Sequence, residues 1–87
     1  MTKSHLQVEV VSHEGRLWHG VASQVQVPAV DGLLGILPGR QPLLAMLAQG
    51  QVIVHTSEGQ HSFTVDNGVA SVDSGFVTIV VDHGSIA

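Results

Sequence analysis

With 87 residues, 44% of them hydrophobic and 11% charged, no cysteine and a formal charge of −4, the chain has room for one small globular domain and for no second one. The absence of cysteine excludes disulfide staples, thiolate metal sites and a thiol nucleophile. Lys3, Arg16 and Arg40 are its only fixed cations, so it lacks the positive field that a phosphate backbone requires, and nucleic acid is not an expected partner.

Met1 to His5 is polar and carries no basic segment followed by an apolar one, which argues against a secretory signal. Leu6, Val8 and Val10 then alternate with Gln7, Glu9 and Val11, the period of a half-buried strand, and Glu14-Gly15 marks a hairpin turn. On that turn Val10 is expected to face His19, and His13 to face Arg16. Val21 to Val27 reads as a further strand, with Val21, Ser23, Val25 and Val27 on one side, until Pro28 removes a ladder donor and either ends it or places it at an edge.

From Asp31 to Arg40 runs a glycine-rich stretch that reads as a loop. Gly32, Gly35 and Gly39 lack the spacing of a phosphate-binding loop, and Arg40 is followed by Gln41-Pro42 rather than by Lys-Ser or Lys-Thr. Leu33, Leu34, Ile36 and Leu37, followed by Leu43, Leu44, Met46 and Leu47, are more large apolar residues than a loop shows to water. Part of this set fills the core, and the remainder forms an exposed patch of the kind that marks a protein partner. Leu43 to Gln49, closed by Gly50, is the one stretch rich in helix formers, enough for a single turn at most. No run in the chain approaches the roughly 18 apolar residues of a membrane span.

Beyond that point glycines recur at Gly50, Gly59, Gly68, Gly75 and Gly84, close to the turn rhythm of an all-β sandwich or barrel. Val52 and Val54, Phe63 and Val65, and Val77, Ile79 and Val81 supply the buried phase of the strands between them. Glu58-Gly59 and Asn67-Gly68 read as hairpin turns, and an antiparallel meander from about Leu6 to about Asp82 is expected.

Chemistry is sparse. His5, His13, His19, His55, His61 and His83 invite a metal, but no His-x-x-x-His helix exists. With Glu58-Gly59 as a two-residue turn, Thr56 faces His61 and His55 faces Ser62, which separates the imidazoles, whereas a loop from Thr56 to Gln60 would pair them. Ser12-His13-Glu14 are sequence neighbours and cannot assemble a catalytic relay. Asp31, Glu58, Asp66 and Asp73 all lie at turn signals, where carboxylates bond to backbone or water. No catalytic residue, metal site or cofactor is expected.

The segments Val27-Pro-Ala-Val-Asp-Gly-Leu-Leu-Gly-Ile-Leu-Pro-Gly-Arg-Gln-Pro-Leu-Leu44, Leu47-Ala-Gln-Gly-Gln-Val52, Asn67-Gly-Val-Ala-Ser-Val and Val77-Thr-Ile-Val-Val resemble the N-terminal domain of the ε subunit of F-type ATP synthases, as does the opening Leu6 to Gly20. The resemblance runs from about Leu6 to Asp82. It implies an all-β, antiparallel sandwich of about ten short strands in two sheets, and a non-catalytic central-stalk role. In that family the domain holds the γ subunit on one side and touches the polar loops of the membrane c-ring on the other, peripheral on the cytoplasmic side of a bacterial inner membrane. Carried over by position, Asp31, Gly32, Leu33 and Leu34 resemble the ring-facing loop, and Ser12 lies on a strand that resembles the γ-facing edge. Arg40 stands where the family commonly has histidine in a contact region, which fixes a charge there. Family members commonly continue into a C-terminal pair of regulatory helices, whereas these residues stop at Ala87, as in a short member or a cut-down chain. A reading of another class is a free-standing sandwich that binds a metal or a small polar ligand through its histidines.

Overall fold

The computed structural model describes residues 5–87, and ten strands account for most of them. These are β1 (Leu6–Ser12), β2 (Gly15–Ala22), β3 (Gln24–Ala29), β4 (Gly32–Ile36), β5 (Leu43–Leu47), β6 (Gly50–Thr56), β7 (Gly59–Val65), β8 (Gly68–Asp73), β9 (Phe76–Val81) and β10 (Gly84–Ile86). Hydrogen bonding passes through the order β10-β7-β6-β3-β5-β8-β9-β1-β2, and β4 pairs with the other side of β3. The fold turns at β3, whose first half (Gln24 to Gln26) pairs with β6 and whose end, at Ala29, pairs with Leu47 of β5. That divides the strands into two layers of five. Sheet I is β10-β7-β6-β3-β4 and sheet II is β5-β8-β9-β1-β2; β2 returns to lie near β6 and β10. A smallest extent of 19 Å suits two sheets packed about 10 Å apart.

The alternation read from the sequence builds the core. Val8, Val10, Val25, Val27, Val52, Val54, Phe63, Val65, Val72, Val77, Ile79 and Val81 are all buried, together with Leu6, Ala22, Ile36, Leu47 and Ala70. β-Branched side chains fill most of the inner positions because one χ1 rotamer suits a pleated, crowded face.

Local expectations differ from the structure in instructive ways. Leu43–Leu47 is strand β5 and not a helical turn, because pairing with β8 from Leu43↔Val72 to Leu47↔Gly68 outweighs the propensity of five residues. The glycine-rich stretch is not all loop: Gly32–Ile36 is strand β4, joined to β3 by a Val30-Asp31 turn. Val21 and Val27 do not share a strand. Ser23 interrupts the run, donating its N–H and its hydroxyl to the His55 carbonyl at 2.8 and 3.2 Å, and the buried phase changes from Ala22 to Val25 across it. Pro28 ends nothing. It sits inside β3 opposite Leu33, with its carbonyl accepting from Ala48 N at 2.7 Å.

Two turns lie one residue earlier than expected, at His13-Glu14 and Ser57-Glu58, because a hydroxyl closes each. Ser12 Oγ accepts from Glu14 N (3.1 Å) and donates to the Gly15 carbonyl (3.2 Å); Thr56 Oγ1 does the same with Glu58 N (3.1 Å) and the Gly59 carbonyl (3.0 Å). A bulge between Val10 and Val11 then brings Val10 opposite Trp18 and Glu9 opposite His19. His61 stands opposite Val54 and His55 opposite Gln60, so the two imidazoles point to opposite faces.

Asn67-Gly68 is not a hairpin. β7 and β8 belong to different sheets, and the segment carries the chain across. Asp66 N donates to the His83 carbonyl (3.3 Å) and Asp82 N to the Asn67 carbonyl (3.1 Å), so this crossing is tied to the one from β9 to β10. A simple meander is likewise ruled out by the parallel pairing of β1 with β9, and β10 extends the unit to Ile86.

Candidate functional site: an apolar belt from strand β4 to strand β1

Ordinary strand alternation buries one face and leaves polar residues on the other. Sheet I largely follows it, turning Gln24, Gln26, Gln51, His55, Gln60, Ser62 and Thr64 outward around one half-buried apolar residue, Ile53. On sheet II the register lines up Met46↔Val69, Val69↔Val80 and Val80↔Val11, an apolar row across β5, β8, β9 and β1 on the outward face. Met46 and Val80 are exposed and Val69 and Val11 half-buried, with exposed Leu44, Phe76 and Val21 on the same face.

At its β5 end this row meets a groove of about 490 Å³ between β4 and β5. The groove is where the residues singled out from the sequence come together. The Val30-Asp31 turn and the head of β4 bring Asp31, Gly32, Leu33 and Leu34 to one wall, and Arg40 stands with Leu43, Leu44 and Met46 along the other. Leu33 (73% exposed) and Leu44 (71%) face solvent, while Leu34 and Leu43 are half-buried against the core. Part of the apolar excess thus fills the interior, through Ile36 and Leu47, and part is on show. Glycine at position 32 is required by the turn, since its φ of +129° suits residues without a Cβ.

Ser12 does not join this surface. It is 5% exposed, its hydroxyl closes the β1–β2 turn, and β1 lies between β9 and β2 rather than at an edge. The outward residue at that place is its neighbour Val11. Val11, Val69 and Val80 are the surface residues that alternation alone did not single out. The signal was present in Val10-Val11 and Val80-Val81, where apolar residues occupy both phases of a strand with a polar partner face expected.

Among the described residues no three His, Asp or Glu side chains gather around a space that could hold a metal ion. His61 packs against Trp18, ring centroids 5.2 Å apart, and His19 stands on the outer face of sheet II opposite Glu9. Glu9 accepts from Arg16 Nε at 3.1 Å, an exposed pair that contributes little to stability. Among the described residues the one displaced ionisation lies elsewhere: Asp66 is held below the usual carboxylate range, chiefly by the His83 N–H that its Oδ1 accepts at 3.0 Å. What the belt offers is therefore contact area, with one carboxylate and one guanidinium at the groove.

The β-sandwich domain of the ATP synthase delta/epsilon chain matches residues 5–86. Among curated relatives, the ATP synthase epsilon chain of Micrococcus luteus is 48% identical over 56 residues, covering 64% of this chain and 62% of its own length. That of Hydrogenovibrio crunogenus is 43% identical over 77 residues (88% and 54%), and that of Rhodococcus opacus 34% over 86 residues (97% and 70%). This chain thus spans between about half and 70% of the relatives it matches. In shape it is similar to a chain of the Euglena gracilis mitochondrial ATP synthase, in a structure of its OSCP, F1 and c-ring. The TM-score is 0.91 at 17% identity, over 99% of this chain and 56% of that one. A chain of the Tetrahymena thermophila mitochondrial ATP synthase central stalk and c-ring gives 0.78 at 14% identity, over 98% and 69%.

Proposed function

The chain belongs to the family of the ATP synthase delta/epsilon chain β-sandwich domain, and on that premise we propose that it is a non-catalytic adaptor of the central stalk. It holds the γ subunit on one surface and the polar loops of the c-ring on another, so that ring and stalk turn together. The observation that carries this reading is the apolar belt: a small domain with an acidic balance leaves Leu33, Leu44, Met46 and Val80 in water although its core is complete without them. Such a surface fits docking onto larger partners and needs no cofactor.

Asp31, Gly32, Leu33 and Leu34 are assigned to the ring, because a turn and an edge strand at one end of the sandwich can enter between polar loops. Arg40 shares their groove and goes with them. The valine row of sheet II, flat and spanning four strands, is assigned to γ, with Val11 in the place that Ser12 marked. The adaptor then sits on the cytoplasmic side of a bacterial inner membrane, held there by the complex; among the described residues no helix is long and apolar enough to cross a membrane.

The test is co-purification. Leu33→Asp and Leu44→Asp replace exposed side chains, so the melting temperature is expected to stay within a few degrees while recovery of the c-ring with the stalk falls at least tenfold, a loss of about 1.4 kcal/mol. Full recovery of ring and γ with both variants would overturn the assignment.

A further inference from the structure

The chain has a single asparagine, Asn67, and a glycine follows it. That dipeptide carries chemistry of its own, because the backbone nitrogen after an asparagine can attack the side-chain amide carbon, and a glycine there has no side chain to hinder the approach. Asn67 is exposed, so its amide is open to water. It also stands where the chain crosses from sheet I to sheet II, and there the backbone decides whether the attack can occur.

In the fold the attacking nitrogen is turned away and held. The Asn67 carbonyl accepts from Asp82 N at 3.1 Å, on the β9 side, and across a trans peptide the N–H of Gly68 points the opposite way, toward β5. Leu47 is its register partner there. By the same rule the Leu47 carbonyl faces β8, since the N–H on the far side of its peptide, that of Ala48, donates to Pro28 on β3 at 2.7 Å. Gly68 N–H therefore closes the end of the β5–β8 ladder on the Leu47 carbonyl. Asp66 tightens the same joint, its Oδ1 accepting from Asn67 N at 2.8 Å and from His83 N at 3.0 Å. The Gly68 nitrogen reaches the Asn67 side chain only when this joint opens.

We propose that Asn67 is a site of spontaneous deamidation gated by the opening of the joint between the two sheets. The Gly68 nitrogen loses its proton to solvent base and bonds to Asn67 Cγ; the Cγ–Nδ2 bond breaks, and the nitrogen leaves as ammonia with a proton from solvent. Water then opens the five-membered imide at either carbonyl, giving aspartate or isoaspartate. One water is consumed and one ammonia released, with no oxidant and no cofactor. Isoaspartate routes the main chain through Cβ and Cγ, one carbon longer than before. The joint has no slack for that carbon, since even a Cβ on Gly68 would overlap the Val80 carbonyl oxygen and come within 2.8 Å of Val81 Cα. A chain that has opened and reacted does not reclose in the same register, so the modification records past opening.

Incubation of the chain at mildly alkaline pH, folded and in concentrated urea, tests this. In urea the peptide that carries Asn67 should gain one dalton, with part of it scored as isoaspartate by a methyl-acceptor assay; isomerisation at Asp31-Gly32 leaves the mass unchanged and is told apart. In the folded chain conversion should be at least about tenfold slower, because it follows the population of the open joint. Asp66→Ala should raise the folded rate at least about threefold and leave the rate in urea as it was. The isolated isoaspartate chain should melt at least about 5 °C below the parent. Equal rates in the fold and in urea, no gain of mass in urea, a folded rate indifferent to Asp66→Ala, or an isoaspartate chain that melts with the parent would each overturn the proposal.

Discussion

The two outer faces of the sandwich are built by the same backbone and differ in what they show to water. Sheet I turns out Gln24, Gln26, His55, Gln60 and Thr64, whereas sheet II turns out Val11, Val69, Val80 and Met46 in one cross-strand row. Their inner faces are alike, rich in valine and closed around Phe63. Sheet I carries one half-buried apolar residue, Ile53, among its outward polar side chains, whereas sheet II lines up four apolar side chains in one row, which is more than sheet I needs to fold. The difference separates side chains that the fold needs from side chains that only a partner would use, and the first prediction removes something both sheets need.

Gly68 stands where the chain crosses from sheet I to sheet II. A Cβ there would overlap the Val80 carbonyl oxygen and come within 2.8 Å of Val81 Cα, backbone that cannot swing aside. Gly68→Ala is expected to destabilise the chain by at least about 3 kcal/mol, lowering the melting temperature by more than about 12 °C. A melting temperature within 3 °C of the parent would mean that the two sheets can shift past each other at this corner.

Next in size is an effect on binding. Replacing Val11, Val69 and Val80 together by threonine keeps β-branched shape and strand propensity while making sheet II resemble sheet I. Attachment to γ is expected to weaken at least tenfold, about 1.4 kcal/mol, read by co-purification or titration. Thermal stability should change by less than about 1 kcal/mol, because these positions face outward. Undiminished attachment would make the contrast between the faces irrelevant to γ.

A smaller effect compares one turn on both sheets. Ser12-His-Glu-Gly15 on sheet II and Thr56-Ser-Glu-Gly59 on sheet I make the same pair of hydroxyl bonds, but Ser12 is buried and Thr56 lies nearer water. Ser12→Ala is expected to cost about 1 kcal/mol and Thr56→Val about half of that, because water can replace the hydroxyl's partners only in the second hairpin. Equal losses in thermal melts would show that burial does not distinguish them.

How far the molecule was legible follows the same division. Period-two alternation identified the inner residues of β1, β6, β7 and β9, and the glycines at positions 15, 32, 50, 59, 68 and 84 each open a strand. Tertiary pairing was not legible. Nothing local in Leu43–Leu47 says that β8 lies ready to pair with it, and nothing in Asn67-Gly68 separates a hairpin from a crossing, since both need a sharp turn and only the destination of the next strand differs. At the site, the excess of leucine between Leu33 and Leu47 was readable as surface in search of a partner. The outward phase of Val11 and Val80 was readable too, but their alignment with Met46 and Val69 in one row was not, because it exists only through the pairing of four strands.

The smallest effect belongs to Asp66, at the same crossing as Gly68. Its Oδ1 accepts the N–H of His83 at 3.0 Å and of Asn67 at 2.8 Å, and these bonds hold its carboxyl below the ordinary value of 3.8. Because the folded value is the lowered one, the contribution is present above the unfolded value and is lost as pH falls through the folded one. Asp66→Asn keeps an acceptor oxygen without the charge. The variant should melt slightly below the parent at pH 5 and above, and the gap should close below about pH 4, in the range where carboxylates titrate. A gap that persists unchanged to pH 2.5 would assign the side chain's contribution to the geometry of its bonds with His83 N and Asn67 N, with the carboxylate's charge contributing nothing to the joint between the sheets.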